Sequence, residues 1–164
     1  AIKASQEERA LLEDTAEELG VPVDQAPLAA QKFVKEWKEL RNRVSSLENE
    51  LAELKSSDLE GENMGDLVFY SQNMGETDFG EVQKLVRQIT SKKDTLAAIG
   101  CFKDERGMII LAKSDSINQD CGKLLRLALS SVGGSGGGKE SYAQGACSPD
   151  KIPEALNEIK KLIS

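Results

Sequence analysis

At 164 residues the chain has room for one globular domain with an extension, or for two small units. It contains no histidine, and its three cysteines, Cys101, Cys121 and Cys147, are far apart. Those two facts exclude the usual zinc sites, histidine-based triads and most general-base chemistry. The formal net charge of −7 argues, as an average, against a nucleic-acid binder.

The distribution of charge reverses that argument. Residues 1–62 carry 8 Lys/Arg against 15 Asp/Glu, whereas residues 81–139 carry 10 against 6. The basic stretch leads into a glycine run. No apolar run approaches the ~18 residues of a membrane span, and no basic-then-apolar leader opens the chain. The cysteines read as small buried residues of a reducing, cytoplasmic environment. Starting at Ala1 without an initiator Met, the chain reads as a piece of something longer.

In chain order, residues 2–19 read as a helix with Gly20 as its stop, and Val21 to Pro27 as a short turn. A longer helix is expected from about Leu28 to Lys55. Its apolar residues Phe33, Trp37, Leu40, Val44, Leu47, Leu51 and Leu54 alternate spacings of four and three, the heptad of a coiled coil. With Trp37 at position a, the g–e′ pairs of a parallel homodimer are Glu36 with Arg41, Arg43 with Glu48, and Glu50 with Lys55. All three are opposite in sign, whereas an antiparallel pairing sets like charges together. A hairpin with residues 2–19 would bury the same stripe within one chain, and a four-helix junction would satisfy both patterns. Ser56 to Asp66, polar and containing Gly61 and Gly65, reads as a linker.

A second unit follows. Leu67 to Tyr70 is a short strand, and Asp78 with Glu81 resembles a capping box ahead of Val82, Leu85, Val86 and Ile89, the stripe of an amphipathic helix. Lys84, Arg87, Lys92 and Lys93 fall on or near its exposed side. Thr95 to Phe102 and Met108 to Ala112 are strand-like runs about a hairpin turn. Ile117, Cys121, Leu124, Leu125 and Ala128 mark a helix ending near Ser131, with Gly133 placed to cap it. Tyr142 to Cys147 reads as a strand. Ser148 and Pro149 start a last helix that buries Ile152, Ala155, Leu156, Ile159, Leu162 and Ile163. The expected fold class is thus α/β (α+β): a helix-loop-helix or coiled-coil subdomain over residues 1–60, then a small mixed α/β globular subdomain over residues 66–164.

Five glycines lie within Gly133-Gly134-Ser135-Gly136-Gly137-Gly138, and Lys139 closes the run. As a loop, such a run can turn successive N–H groups toward an anion, with a lysine at the rim. A flexible linker is the bland alternative, yet structured sequence resumes on both sides. A nucleotide-binding P-loop is excluded on two grounds. Glu140 stands where a hydroxyl must hold Mg²⁺, and the run follows a helix where a P-loop follows a strand. For RNA, glycine amides could reach phosphates or a flat base pair, with Lys113, Lys123, Arg126 and Lys139 supplying charge. Tyr142 could stack on a base, although core packing competes for it.

A helical extension followed by a small α/β domain with a G-G-x-G-G-G run and Ala143-Gln144-Gly145 behind it resembles the C-terminal domain of alanyl-tRNA synthetases. The globular part also resembles the glycine-rich domain that accompanies DHH-type phosphoesterases. The family often has a second glycine after this A-Q-G, where Ala146 and Cys147 stand here. The resemblance implies a module that binds tRNA(Ala) at its outer corner, dimerises the enzyme and assists aminoacylation and editing. It also implies RNA contacts at Gly133, Gly134, Gly136, Gly137, Gly138, Lys139, Gln144 and Gly145, and a homodimer through the heptad stripe. ATP and zinc would belong to upstream domains, with no cofactor and no catalytic site in this part. Neither membrane nor DNA is an expected partner. The alternatives are the tail of a free-standing alanyl-tRNA editing protein and a purely structural oligomerisation module.

Overall fold

The computed structural model describes residues 2–164. By its internal contacts the chain divides after Leu47, earlier than the 60–66 region expected from composition.

In the first unit, helix α1 (Ile2–Glu18) ends in a turn that Gly20 makes possible with φ +65°. The Gly20 and Val21 amides bond back to the Glu17 and Ala16 carbonyls, which closes the helix with a left-handed cap. After a 3₁₀ turn at Val23–Gln25, helix α2 runs from Ala26 to Asp58, longer at both ends than its sequence pattern suggested. Its heptad residues Phe33, Trp37, Leu40, Val44 and Leu47 stay exposed. Helix α1 leaves Leu11 and Leu12 exposed as well, so it does not bury the stripe in a hairpin. The Arg41 guanidinium lies over the Trp37 ring, 5.2 Å from its centre.

The second unit begins inside α2. Ala52 and Ser56 are buried there. Glu48 pairs with Lys84, and Lys55 with Glu81 at 3.1 Å. The expected linker is not one: Glu62–Met64 forms strand β1, which folds back antiparallel on β2 (Leu67–Glu76) around Gly65. Strand β2 runs well past Tyr70. Its polar stretch Ser71-Gln72-Asn73 shows no apolar alternation, but a parallel ladder holds it to β3 (Thr95–Lys103). Helix α3 (Phe79–Thr90) makes that crossover, and the Asp78 carboxylate caps it by accepting from the Gly80 amide at 2.9 Å.

Strand β4 (Arg106–Lys113) follows as a hairpin, then helix α4 (Cys121–Ser131), strand β5 (Ser135–Gly138), strand β6 (Tyr142–Cys147) and helix α5 (Ile152–Ile163). The six strands stand in the order β1-β2-β3-β4-β6-β5, antiparallel throughout except for β2 and β3. Helix α3 covers one face through Val82, Leu85, Val86 and Ile89 on Ala97, Ile99 and Ile110. Helices α4 and α5 cover the other, where Leu125, Leu129, Ile152 and Ile159 pack on Leu96, Ala98, Ile109 and Leu111. Strand β5 is therefore an edge strand beneath α4, and α3 does not extend its core to it.

Candidate nucleic-acid interface

The glycine run is not a loop. The chain reverses after α4 at Gly133, with φ +77°, and the Gly134 amide bonds the Leu129 carbonyl at 2.8 Å. That is a helix cap of the kind expected for Gly133. The following residues then extend along β6 in the register Ser135↔Ala146, Gly136↔Gly145, Gly137↔Gln144 and Gly138↔Ala143. Among these strand glycines none has positive φ, so no alternating concavity of amides forms around an anion.

Close packing explains most of them instead. A Cβ on Gly136 would lie 2.6 Å from Leu129 Cδ1 and 2.8 Å from Gly145 Cα, and one on Gly145 only 2.2 Å from Leu129 Cδ1. Similar conflicts with backbone hold at Gly134 (2.7 Å, Ala146 carbonyl) and Gly138 (2.3 Å, Tyr142 carbonyl). Helix α4 thus rests on bare backbone, and its own Gly122 meets the Gly138 carbonyl in the same way. Gly137 is different. Its Cβ would project from the sheet face away from Leu129, with Arg126 Nη2 at 3.6 Å as its nearest neighbour. Packing does not require glycine there.

What Gly137 presents is an open strip of sheet. Gln144 lies opposite it and is exposed. Tyr142, two residues on along the same face, has a half-buried ring packed against the α3 side of the core. Its hydroxyl accepts from Gln83 Nε2 at 3.2 Å and donates, over a long 3.4 Å, to Gln144 Oε1. Tyr142 is therefore a support for Gln144, not a free stacking platform. The Lys139 amide bonds the Tyr142 carbonyl at 2.8 Å. The antiparallel alternation then turns the Gly136 amide away from β6, toward the edge of the sheet, whereas the same side of Gly138 meets Gly122 of α4.

The expected cations divide. Arg126 and Lys139 are exposed beside β5. Lys123 is exposed too, paired with Asp120 at 3.1 Å. Lys113 is not available: its side chain is 8% exposed, and its amine donates to the Ile117 carbonyl at 2.6 Å. It ties the end of β4 to the approach of α4, a structural role that the sequence pattern did not reveal. Gln83 was missed because it lies outside the apolar stripe of α3 and has no motif of its own.

Asp120 caps α4, accepting from the Lys123 amide at 3.0 Å, and that hydrogen bond holds its carboxyl below the usual carboxylate range. Burial pushes all three thiols up, Cys121 to about 11, so they are protonated at neutral pH and poor nucleophiles. Among the described residues no three His, Cys, Asp or Glu side chains gather as a metal-ligand group. No helix is long and apolar enough to cross a membrane.

The heptad stripe is the other exposed feature: Phe33, Trp37, Leu40, Val44, Leu47, Leu51 and Leu54 are between 46% and 65% exposed. Two of the charges expected to pair across a dimer, Glu48 and Lys55, are instead engaged by Lys84 and Glu81 of α3.

Comparison with known proteins shows which family and fold the chain shares. The chain is 32% identical over 164 residues to an alanine–tRNA ligase of Pyrococcus abyssi and 31% identical over 166 residues to that of Thermococcus kodakarensis. Each match covers 99% of this chain and 18% of the relative, so the chain spans under a fifth of their length. Among solved structures, the C-Ala domain of Aquifex aeolicus alanyl-tRNA synthetase superposes with a TM-score of 0.59 at 25% identity, over 65% of this chain and 99% of that one. A DHH-domain protein described as a member of the s1p family of ribosomal proteins shares the fold at 13% identity, with a TM-score of 0.51 over 86% of this chain and 34% of that one. The family model for the DHHA1 domain matches residues 65–164, and the chain belongs to that family.

Proposed function

We propose that the chain is the C-terminal module of an alanine–tRNA ligase, which pairs two copies through α2 and binds tRNA(Ala) on the open strip of the β5–β6 hairpin. In this role it helps bring the tRNA to aminoacylation and editing centres held by other parts of the parent enzyme, and it carries no catalytic site itself. One observation supports the RNA-binding half above the others. Gly137 has no packing reason to be glycine, yet it lies flush with an exposed glutamine and between two exposed cations. Glycine inside a strand weakens it, so a bare backbone there suits a partner that must approach closely. RNA is read by backbone, 2′-OH and shape more than by duplex base edges, which fits an amide, a carboxamide and flanking cations.

The dimerisation half rests on the heptad. Seven large apolar side chains along one helix face, exposed in the single chain, match the seam of a coiled coil. The first g–e′ pair, Glu36 with Arg41, still favours a parallel arrangement. The engagement of Glu48 and Lys55 by α3 confines the charge argument to the part of α2 before Leu47.

A purely structural module is the second reading, and a specific observation favours it: packing alone accounts for glycine at 134, 136, 138 and 145. Binding of the chain to tRNA(Ala) at several salt concentrations, against single-stranded DNA of similar charge, separates the two. Preferential tRNA binding that weakens with salt supports the RNA module; a dimer with no affinity above background supports the structural one. The tail of a free-standing editing protein predicts the same behaviour, and sequence preceding residue 1 in the parent separates it.

A further inference from the structure

Beside the β5–β6 strip the α3 face carries a second feature that the interface above does not use. Two adjoining hollows, of about 310 and 520 Å³, run along the end of α3 and the end of β4. They share Thr90, Ser91, Ser114 and Asp115, and the first reaches Ser141 and Tyr142. Arg87 lines the first hollow, and Lys92 and Lys93 line the second. All three cations are exposed. None of them has a carboxylate within ion-pair distance among the described residues, whereas Lys84, one turn back on α3, is paired with Glu48. The channel therefore begins at Tyr142, whose hydroxyl supports Gln144, and leads away from that glutamine past three unpaired cations.

We propose that this channel holds the sugar–phosphate backbone of the same RNA whose contact lies on the β5–β6 strip, with Arg87, Lys92 and Lys93 as its phosphate contacts. The inference rests on the RNA-binding reading given above and extends it to side chains outside the glycine hairpin. The chemistry is that of a polyanion held mainly by charge. The Thr90 and Ser91 hydroxyls donate back to α3 carbonyls, and Ser114 Oγ is occupied by the Thr95 amide and Ser116. They add polarity without free donors. Arg87, Lys92, Lys93 and the largely buried Lys113 line the hollows against Asp115, with Asp94 in the adjoining turn, so the channel is cationic by a margin of two, and removing the three exposed cations would make it anionic. Cations in the last turn of a helix and just beyond it also complement the helix dipole. That alternative predicts an effect on stability and none on RNA.

The test uses the whole 164-residue chain and tRNA(Ala), titrated at ionic strengths from low to physiological. The triple variant Arg87→Gln, Lys92→Gln, Lys93→Gln is compared with wild type and with Lys35→Gln, Lys38→Gln, which removes exposed charge from α2. Each phosphate contact adds roughly 0.7–0.9 to the slope of log affinity against log salt, so losing three flattens it by about two to three. The expected result is that flattening and a roughly tenfold or greater loss of low-salt affinity in the triple variant alone. The Lys35/Lys38 variant keeps the wild-type slope. A triple variant that matches wild type in slope and affinity overturns the channel while leaving the hairpin contact standing. A wild-type chain that binds no RNA overturns the reading beneath it and the channel together. Thermal unfolding of the triple variant, whose changes are all on exposed side chains, confirms that the fold under test is intact.

Discussion

Two neighbouring glycines give opposite predictions from the same substitution. In Gly136→Ala the new methyl falls 2.6 Å from Leu129 Cδ1, 2.8 Å from Gly145 Cα and 3.0 Å from the Gln144 carbonyl. Two of those three atoms are backbone, and Leu129 is fully buried, so nothing near can move aside cheaply. Forcing a methyl into such a contact costs about 1–3 kcal/mol. For a unit of this size that lowers the melting temperature by roughly 4–12 °C. In Gly137→Ala the methyl meets nothing closer than 3.6 Å, and φ there is compatible with any residue. Alanine then restricts the unfolded chain and stabilises the fold by about 0.4–1 kcal/mol. Circular dichroism melts of the two variants check the fold, and tRNA titrations check the interface. The expected pattern is Gly136→Ala destabilised, and Gly137→Ala as stable as wild type or more so but weakened in RNA binding. Equal loss of stability in both would refute the assignment of Gly136 and Gly137 to opposite faces. A Gly137→Ala chain that binds tRNA as wild type does would refute the close approach proposed for that position.

Leu47→Glu places a charge at the middle of the exposed heptad, and sedimentation is expected to show a monomer; a variant that stays dimeric removes α2 as the main interface. Asp120→Ala removes the cap of α4 and lowers the melting temperature at neutral pH. Because the Asp120 carboxyl is held below its ordinary range, its contribution is complete above the unfolded value of about 4 and fades as pH falls through the lower folded value. The gap between wild type and Asp120→Ala is therefore expected to close in acid, and a gap independent of pH would show that the Lys123 amide bond is not its source.

The helices and their ends were legible because their signals are local. Amphipathic spacing gave α3 and α5, Asp78 caps α3 as its position suggested, and Gly133 closes α4. Strand β6 lies at Tyr142–Cys147, where the sequence reads as a strand. A 3.6-residue period, a carboxylate before a helix and a glycine after one act over a few residues, so the chain states them directly. What only the tertiary structure decided are the features that depend on a neighbour distant in sequence. Ser71 to Asn73 continues a strand because β3 supplies the ladder, and Glu62–Met64 is a strand because β2 returns past it. The last turns of α2 belong to the globular unit because α3 offers Lys84 and Glu81 to Glu48 and Lys55. Lys113 looked like a surface cation, but the fold turns its amine onto the Ile117 carbonyl. The glycine run is the clearest case. Without side chains a run of glycine looks the same whether it will be loop or strand, and its conformation is set entirely by what lies against it. Here β6 on one side and Leu129 above make it an edge strand, and the space left over Gly137 is what turns that strand into a candidate surface for RNA.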